Sequence, residues 1–153
     1  MRSAALHTVW LFALLVSCSG DQSLRIHAQA AHATRSVLVR VSHSIREVRI
    51  ERQEEAVVAS ETRNEARGRV EEIRIAWAPI VAGYNMLAEA HDTWVAALLA
   101  AMFGEDGDVP TEAWIRLAGE VVHLWSAVAT LGETVSLDIP APPPLLLRLV
   151  GAP

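Results

Sequence analysis

The sequence predicts an all-α fold: a long amphipathic, coiled-coil-like helix, then an antiparallel helical hairpin, then a Pro-rich C-terminal tail. Three observations carry that expectation. Apolar residues recur three and four apart over long stretches. No proline occurs between Asp21 and Ile75, where Gly68 is the only glycine. A single short run, Gly104-Glu105-Asp106-Gly107-Asp108, separates two strongly apolar helical segments. The chain accordingly divides into an export segment over 1–17, a helical arm over 18–75, a hairpin over 76–138 and a tail over 139–153.

Composition narrows the function classes. Of 153 residues, 52% are hydrophobic and 20% charged, too apolar a balance for a disordered chain. The formal charge of −5 offers no basic face for nucleic acid, although all 13 basic residues are Arg. One cysteine excludes an internal disulfide and a multi-Cys zinc site.

The export segment comes first. Met1-Arg2 gives a positive start, Val9-Trp10-Leu11-Phe12-Ala13-Leu14-Leu15-Val16 an apolar run, and Ser17-Cys18-Ser19-Gly20 a cluster of small residues. That order reads as a secretory signal peptide. The run falls well short of the ~20 apolar residues of a spanning helix. Leu15-Val16-Ser17-Cys18 resembles the lipobox of bacterial lipoproteins. The resemblance implies cleavage between Ser17 and Cys18, with diacylglycerol on the Cys18 thiol and fatty acid, such as palmitate, on the new amino group. Ser19, the residue after the cysteine, implies sorting to the outer membrane. A thiolate is the nucleophile that thioether formation requires. Each buried methylene adds about 0.8 kcal/mol, so two or three chains hold where one does not.

In the arm, Leu38, Val41, Ile45 and Val48 share one helical face. Upstream, Leu24, Ala28, Ala31 and Arg35 continue that stripe weakly; downstream it runs through polar and small residues to Val70, Ile73 and Trp77. Two successive spacings of four, Thr62 to Ala66 to Val70, predict a stutter beside Gly68. The alternating β-branched run Ser36–Val41 also suits a strand, but no second strand follows it. As one helix, residues 21–75 would reach about 80 Å. So thin a stripe needs a partner: a second copy, another protein or the chain's own C-terminal region. Opposite charges one turn apart, such as Glu65 with Arg69 and Glu71 with Arg74, describe a solvated face.

The hairpin carries a fuller stripe: Trp77, Ile80, Tyr84, Leu87, His91, Trp94, Leu98 and Ala101. Pro79 lies off that stripe and the register continues across it, which predicts a kinked helix and no break. The second helix starts near Val109-Pro110, with Asp108, Thr111 and Glu112 as capping candidates. Its stripe is Trp114, Leu117, Val121, Leu124, Val128, Leu131 and Val135, widened by Ile115, Ala118, Val122, Trp125 and Ala129. Residues whose numbers add to about 213 then lie level with each other. Two helices bury little, so oligomerisation or folding back of the arm completes the bundle. In the tail, Ile139–Pro144 reads as polyproline-like. Leu145–Val150 packs across the hairpin or docks a partner.

Charge is uneven. Residues 75–138 carry −8 and residues 19–45 carry +2. That predicts a basic stretch resting on anionic headgroups and an acidic end held away from them.

Candidate chemistry is sparse. Glu120-Val121-Val122-His123 has the Glu-x-x-His spacing of carboxylate-bridged di-metal bundles, and the hairpin level brings His91 near His123. A divalent-metal site at His91, His123 and Glu120 is the minor candidate; His91 as a core histidine and His123 as a solvated one is the ordinary reading. His27, His32 and His43 fit no i,i+4 pairing and read as exposed. No nucleophile elbow, phosphate loop or dinucleotide motif occurs, so no enzyme is expected. The favoured expectation is a non-catalytic, membrane-anchored envelope lipoprotein, without cofactor beyond the lipid on Cys18. It would face the periplasm as a helical spacer or interaction module. Its partners would be the bilayer and a second copy or another envelope protein, with no nucleic acid. The sequence ends Gly151-Ala152-Pro153 and has no Lys, so Lys-mediated attachment to peptidoglycan is not expected. The alternatives are a phage-encoded, spanin-like outer-membrane lysis lipoprotein and a divalent-metal-binding helical bundle.

Overall fold

The computed structural model describes residues 22–103 and 110–151, and among them four helices and no strand occur. These are α1 (Gln22–Val58), α2 (Arg63–Phe103), α3 (Thr111–Glu133) and α4 (Pro144–Leu149). The all-α expectation holds, and Ser36–Val41 is helical within α1. Ser17, Cys18 and the rest of the export segment lie outside the described residues, as does Gly104–Asp108.

The buried seam of α1 is Leu24, His27, Ala31, Thr34, Leu38, Val41 and Ile45. Its spacings alternate three and four without interruption, a heptad seam that always faces the same neighbour. Leu24, Ala28 and Ala31 are buried as the periodicity predicts, but the same periodicity also predicts Arg35 on this face and His27 in solvent. In the structure Arg35 is exposed and His27 is only 2% exposed. Two polar residues therefore occupy seam positions. Thr34 fits there because its Oγ1 donates to the Ala30 carbonyl at 2.8 Å.

The single rod over 21–75 does not form. α1 ends at Val58, α2 begins at Arg63, and the chain reverses between them. Each helix spans about 55–60 Å at 1.5 Å per residue, so the molecule folds its expected length back on itself. Local chemistry explains the break. Ser60 Oγ donates to the Ala56 carbonyl at 2.6 Å. Thr62 then caps α2: its Oγ1 accepts from the Glu65 N–H at 3.2 Å, while a Glu65 carboxylate oxygen accepts from the Glu61 N–H at 3.1 Å. Thr62-Arg63-Asn64-Glu65 is thus a capping box, a helix-start signal in the middle of the expected rod. Arg69 closes the turn by donating to Glu65 at 2.6 Å and to the Ala59 carbonyl at 3.4 Å. The helix runs through Gly68 without interruption.

Antiparallel pairing of α1 with α2 is fixed by two side chains. Tyr84 Oη donates to the Leu38 carbonyl at 3.0 Å, and His91 Nε2 donates to the Ala31 carbonyl at 2.9 Å. In both pairs the residue numbers add to 122, twice the midpoint of the turn. Helical carbonyls retain a second lone pair for such bonds. α2 continues through Pro79, as its register predicts, with Trp77 and Ile80 buried on either side. Packing there outweighs the hydrogen bond that proline cannot donate.

α2 and α3 meet at the predicted level. A Cβ on Gly83 would sit 3.3 Å from Val128 Cγ2 and 3.4 Å from Leu131 Cδ1, so the two backbones approach closely there. The fully buried residues of α3 are Trp114, Ala118, Val121, Trp125, Val128 and Gly132. Leu117, Leu124 and Leu131 are half-buried at its margin, and Ile115 is exposed. Among the described residues no side chain caps the start of α3, where Pro110 precedes the first helical residue; the capping candidate Asp108 lies outside the described residues.

The end of α3 is a Schellman turn. Leu137 N–H donates to the Gly132 carbonyl at 2.9 Å and Ser136 N–H to Glu133 at 3.2 Å, with Ser136 left-handed at φ 57°. The chain then doubles back. Leu137 is buried, Trp125 Nε1 donates to the Pro140 carbonyl at 2.8 Å, and Leu146 of α4 is fully buried. α4 packs on both α1 and α3. The apolar tail therefore belongs to the chain's own core.

Two substitutions test this account. Thr62→Ala is expected to cost about 1 kcal/mol in urea denaturation, the usual loss for a removed N-cap. Ser136→Gly is expected to stabilise by about 0.5–1 kcal/mol. The left-handed conformation costs a side-chain-bearing residue ~1–2 kcal/mol, and glycine's added unfolded-state entropy offsets only part of that relief. A destabilising Ser136→Gly would contradict the turn.

Candidate functional site

The first described residue, Gln22, lies four residues beyond Cys18, and the antiparallel register puts the start of α1 level with the end of α2. This end of the bundle holds an aromatic cluster. The His27 ring lies 6.0 Å from Trp94 and 5.5 Å from Trp114, edge to face in both cases, and His91 lies edge-on to Trp94 at 6.3 Å. Edge-to-face packing sets the positive ring edge against a negative face. The indole N–H groups of Trp94 and Trp114 are buried with no acceptor among the described residues. Each such group costs about 1–3 kcal/mol of desolvation, which the surrounding apolar burial offsets.

The structure separates the metal-candidate residues. His91 is 2% exposed and turned toward α1, where its Nε2 proton is committed to Ala31. Its Nδ1 faces Asp92 Oδ1 at 3.4 Å. His123 and Glu120 are exposed on α3. Glu120 instead shares a shallow groove with Glu89, bordered by Met86, Ala90, Thr93 and Leu124. Among the described residues no three His, Cys, Asp or Glu side chains are grouped to hold a metal ion. Several hydroxyls are likewise committed locally: Thr93, Ser126 and Thr130 each donate to the carbonyl four residues back.

The opposite end has a different character. From residue 46 to 76 no residue is buried, whereas Trp77 is. α3 and α4 pack lower down, so here α1 and α2 project as a two-helix arm. Residues 46–75 hold seven Arg and eight Glu, with signs interspersed. Exposed ion pairs Arg52–Glu55, Arg69–Glu65 and Arg74–Glu71 run along it. Hydrogen bonding to Arg74 holds the Glu71 carboxyl below its ordinary value and raises the Arg74 guanidinium in return. Between these charges Ile50, Val57, Val58 and Val70 line an apolar groove with Gln53 and Glu54. Val58 is 86% exposed and Val57 52%.

This surface was not singled out by the periodicity of the sequence. Val57-Val58 falls outside the three-four seam, and only the turn at Ala59–Thr62 brings it to a tip beside Val70. The capping box was the signal that would have revealed it. The arrangement offers an apolar docking face within a charge-balanced rim. No helix among the described residues is long and apolar enough to cross a membrane. No protein-family model, curated protein or solved structure matches this chain.

The assignment of the two histidines is testable by denaturation. His91→Ala is expected to cost about 2–4 kcal/mol, from a cavity and a lost buried hydrogen bond, while His123→Ala and Glu120→Ala stay within about 0.5 kcal/mol. Zinc raising the melting temperature of the native chain but not of His123→Ala would restore the metal reading.

Proposed function

We propose that the protein is a non-catalytic, lipid-anchored lipoprotein of the bacterial envelope. It holds a helical interaction module clear of the membrane, sorted to the outer membrane and facing the periplasm. The observation that carries this reading is the polarity of the molecule. Cys18, the lone thiol at the lipobox position, precedes α1 by four residues, and the exposed tip of the α1–α2 arm lies at the far end of that helix. A tether at Cys18 would set the arm tip about 55 Å from its base, at 1.5 Å per residue over the 37 residues of α1.

Charge supports a modified version of the sequence expectation. The exposed acids Asp92 of α2 and Glu112 of α3 make the end of the bundle at the start of α1 acidic, so this acidic end belongs with the tethered end and not with the distal one. Anionic headgroups would repel it, so the bundle would stand off from the bilayer, with Arg25 and the acyl chains as its attractive contacts. The committed state of His91 and the tail's return onto the bundle favour this reading over the metal-binding and lysis alternatives.

The deciding experiment is mass spectrometry of the N-terminal peptide from membranes, with fractionation of Cys18→Ser beside it. The expected result is an acylated N-terminal Cys18 and a shift of Cys18→Ser to the soluble fraction. An unmodified thiol, with Cys18→Ser as firmly membrane-bound as the native chain, would overturn the reading.

A further inference from the structure

We infer that the face of α3 around Trp125 is a recognition site for an uncharged, proline-rich segment of another protein, and that the chain's own tail fills it as a displaceable stand-in. The tail shows what the site reads. Trp125 Nε1 donates to the Pro140 carbonyl at 2.8 Å, and Leu137 and Pro143, three residues to either side, are buried. Three residues is the repeat of a polyproline II helix, so these positions share one face. Pro143 itself sits at φ −54° and ψ 138°, close to that conformation. α4 then delivers Leu146, fully buried, after three further residues. Ala141 and Pro144 between these contacts are exposed.

Pro140-Ala141-Pro142-Pro143 thus has the P-x-x-P spacing. An extended backbone of this kind makes no internal hydrogen bonds, which leaves its carbonyls free for an indole N–H. Among the described residues, 138–142 form no backbone–backbone hydrogen bond. An indole donor beside a surface that buries every third residue is the chemistry by which aromatic-lined grooves dock P-x-x-P segments.

The stand-in is thinly held. Among the described residues the Trp125 bond is the only side-chain hydrogen bond to the tail, and no ion pair includes it. Leu146 is the one buried residue of α4. The tail leaves α3 through Ser136, whose left-handed φ of 57° is unfavourable for a residue with a side chain. A terminal segment with so few fixed contacts opens at little cost compared with the whole bundle.

The occupant follows from chemistry and mass action. Ile139–Leu147 carries no charge, so the site selects by shape and by one carbonyl. A second copy offers the same segment at a concentration far below the effective one of the tail in cis, and gains nothing by exchange. A different protein that adds contacts beyond the segment displaces the tail, and weak proline-rich segments do not.

The test uses the full chain carrying Cys18→Ser in mild detergent. The probe is a fluorescein-labelled synthetic peptide with the sequence of Leu137–Leu147, read by fluorescence anisotropy. The native tail should hold binding weak, because only the open fraction of the protein is competent. Leu146→Ala in the chain loosens the tail while the probe keeps its leucine, and should raise probe affinity at least about tenfold. Added Trp125→Phe, at unchanged circular dichroism, should lower that affinity about fivefold, the usual worth of one hydrogen bond. A probe carrying Pro140→Gly and Pro143→Gly should show none of the gain, which also controls for uptake by detergent. If Leu146→Ala does not fold, Pro140→Gly with Pro144→Gly in the chain loosens the tail at two exposed positions without opening a cavity, and should raise affinity about threefold or more. No gain from either tail variant, equal binding of the glycine probe, or indifference to Trp125→Phe would overturn the proposal. Dimers formed by exchange of tails, with no gain for the free probe, would overturn it in favour of a second copy. None of these outcomes depends on the state of Cys18, so they stand apart from the test of the tether.

Discussion

The short turn at Ala59–Thr62 obliges α1 and α2 to lie antiparallel, and their heptad seams lock at one level. That constraint decides which residues meet elsewhere. It brings His91 to the Ala31 carbonyl and Tyr84 to Leu38. It also sets His27 between two indoles contributed by different helices, α2 and α3. A slip of one residue would turn the α1 seam by about 100° and carry His27 away from its two indoles and the Ala31 carbonyl away from His91. The polar residues in the seam therefore specify register, while the apolar residues supply most of the driving force.

Stability is unevenly distributed along the length of the molecule. The four tryptophans of the described chain, Trp77, Trp94, Trp114 and Trp125, are all buried in the three-layer part where α3 and α4 cover the α1–α2 pair. Beyond that part the arm relies on a turn network and on exposed ion pairs, each worth little in water and less in salt. Local opening is thus expected to begin in the arm, since it has few buried apolar contacts to lose. The same feature makes its surface adaptable to a partner.

This asymmetry gives the functional reading its form. A well-packed base would hold the chain beside an anchored cysteine, and a thin charged arm would carry an apolar groove away from it. Of the metal-candidate side chains, His91 holds α2 to α1, while His123 and Glu120 lie exposed on α3. What the arrangement offers is reach and a docking face.

The all-α class, the helix through Pro79 and the level of the second hairpin were all legible in the linear order of residues, because three-four periodicity is a property of one helix and its own stripe. His91 as a core histidine followed from the same pattern. The capping box at Thr62–Glu65 was also present but was outweighed by the absence of Pro and Gly around it, so the arm read as one rod. The tail's packing onto the hairpin was expected, but the burial of His27 and the docking of the Leu146 segment on α1 could not be read in advance, since a side chain's exposure depends on which other helix arrives at its level. The sequence by itself determined which faces must be buried. Only the tertiary structure decided what buries them, because the reversal at Ala59–Thr62 and the return of the tail after Ser136 choose among partners that periodicity leaves equivalent.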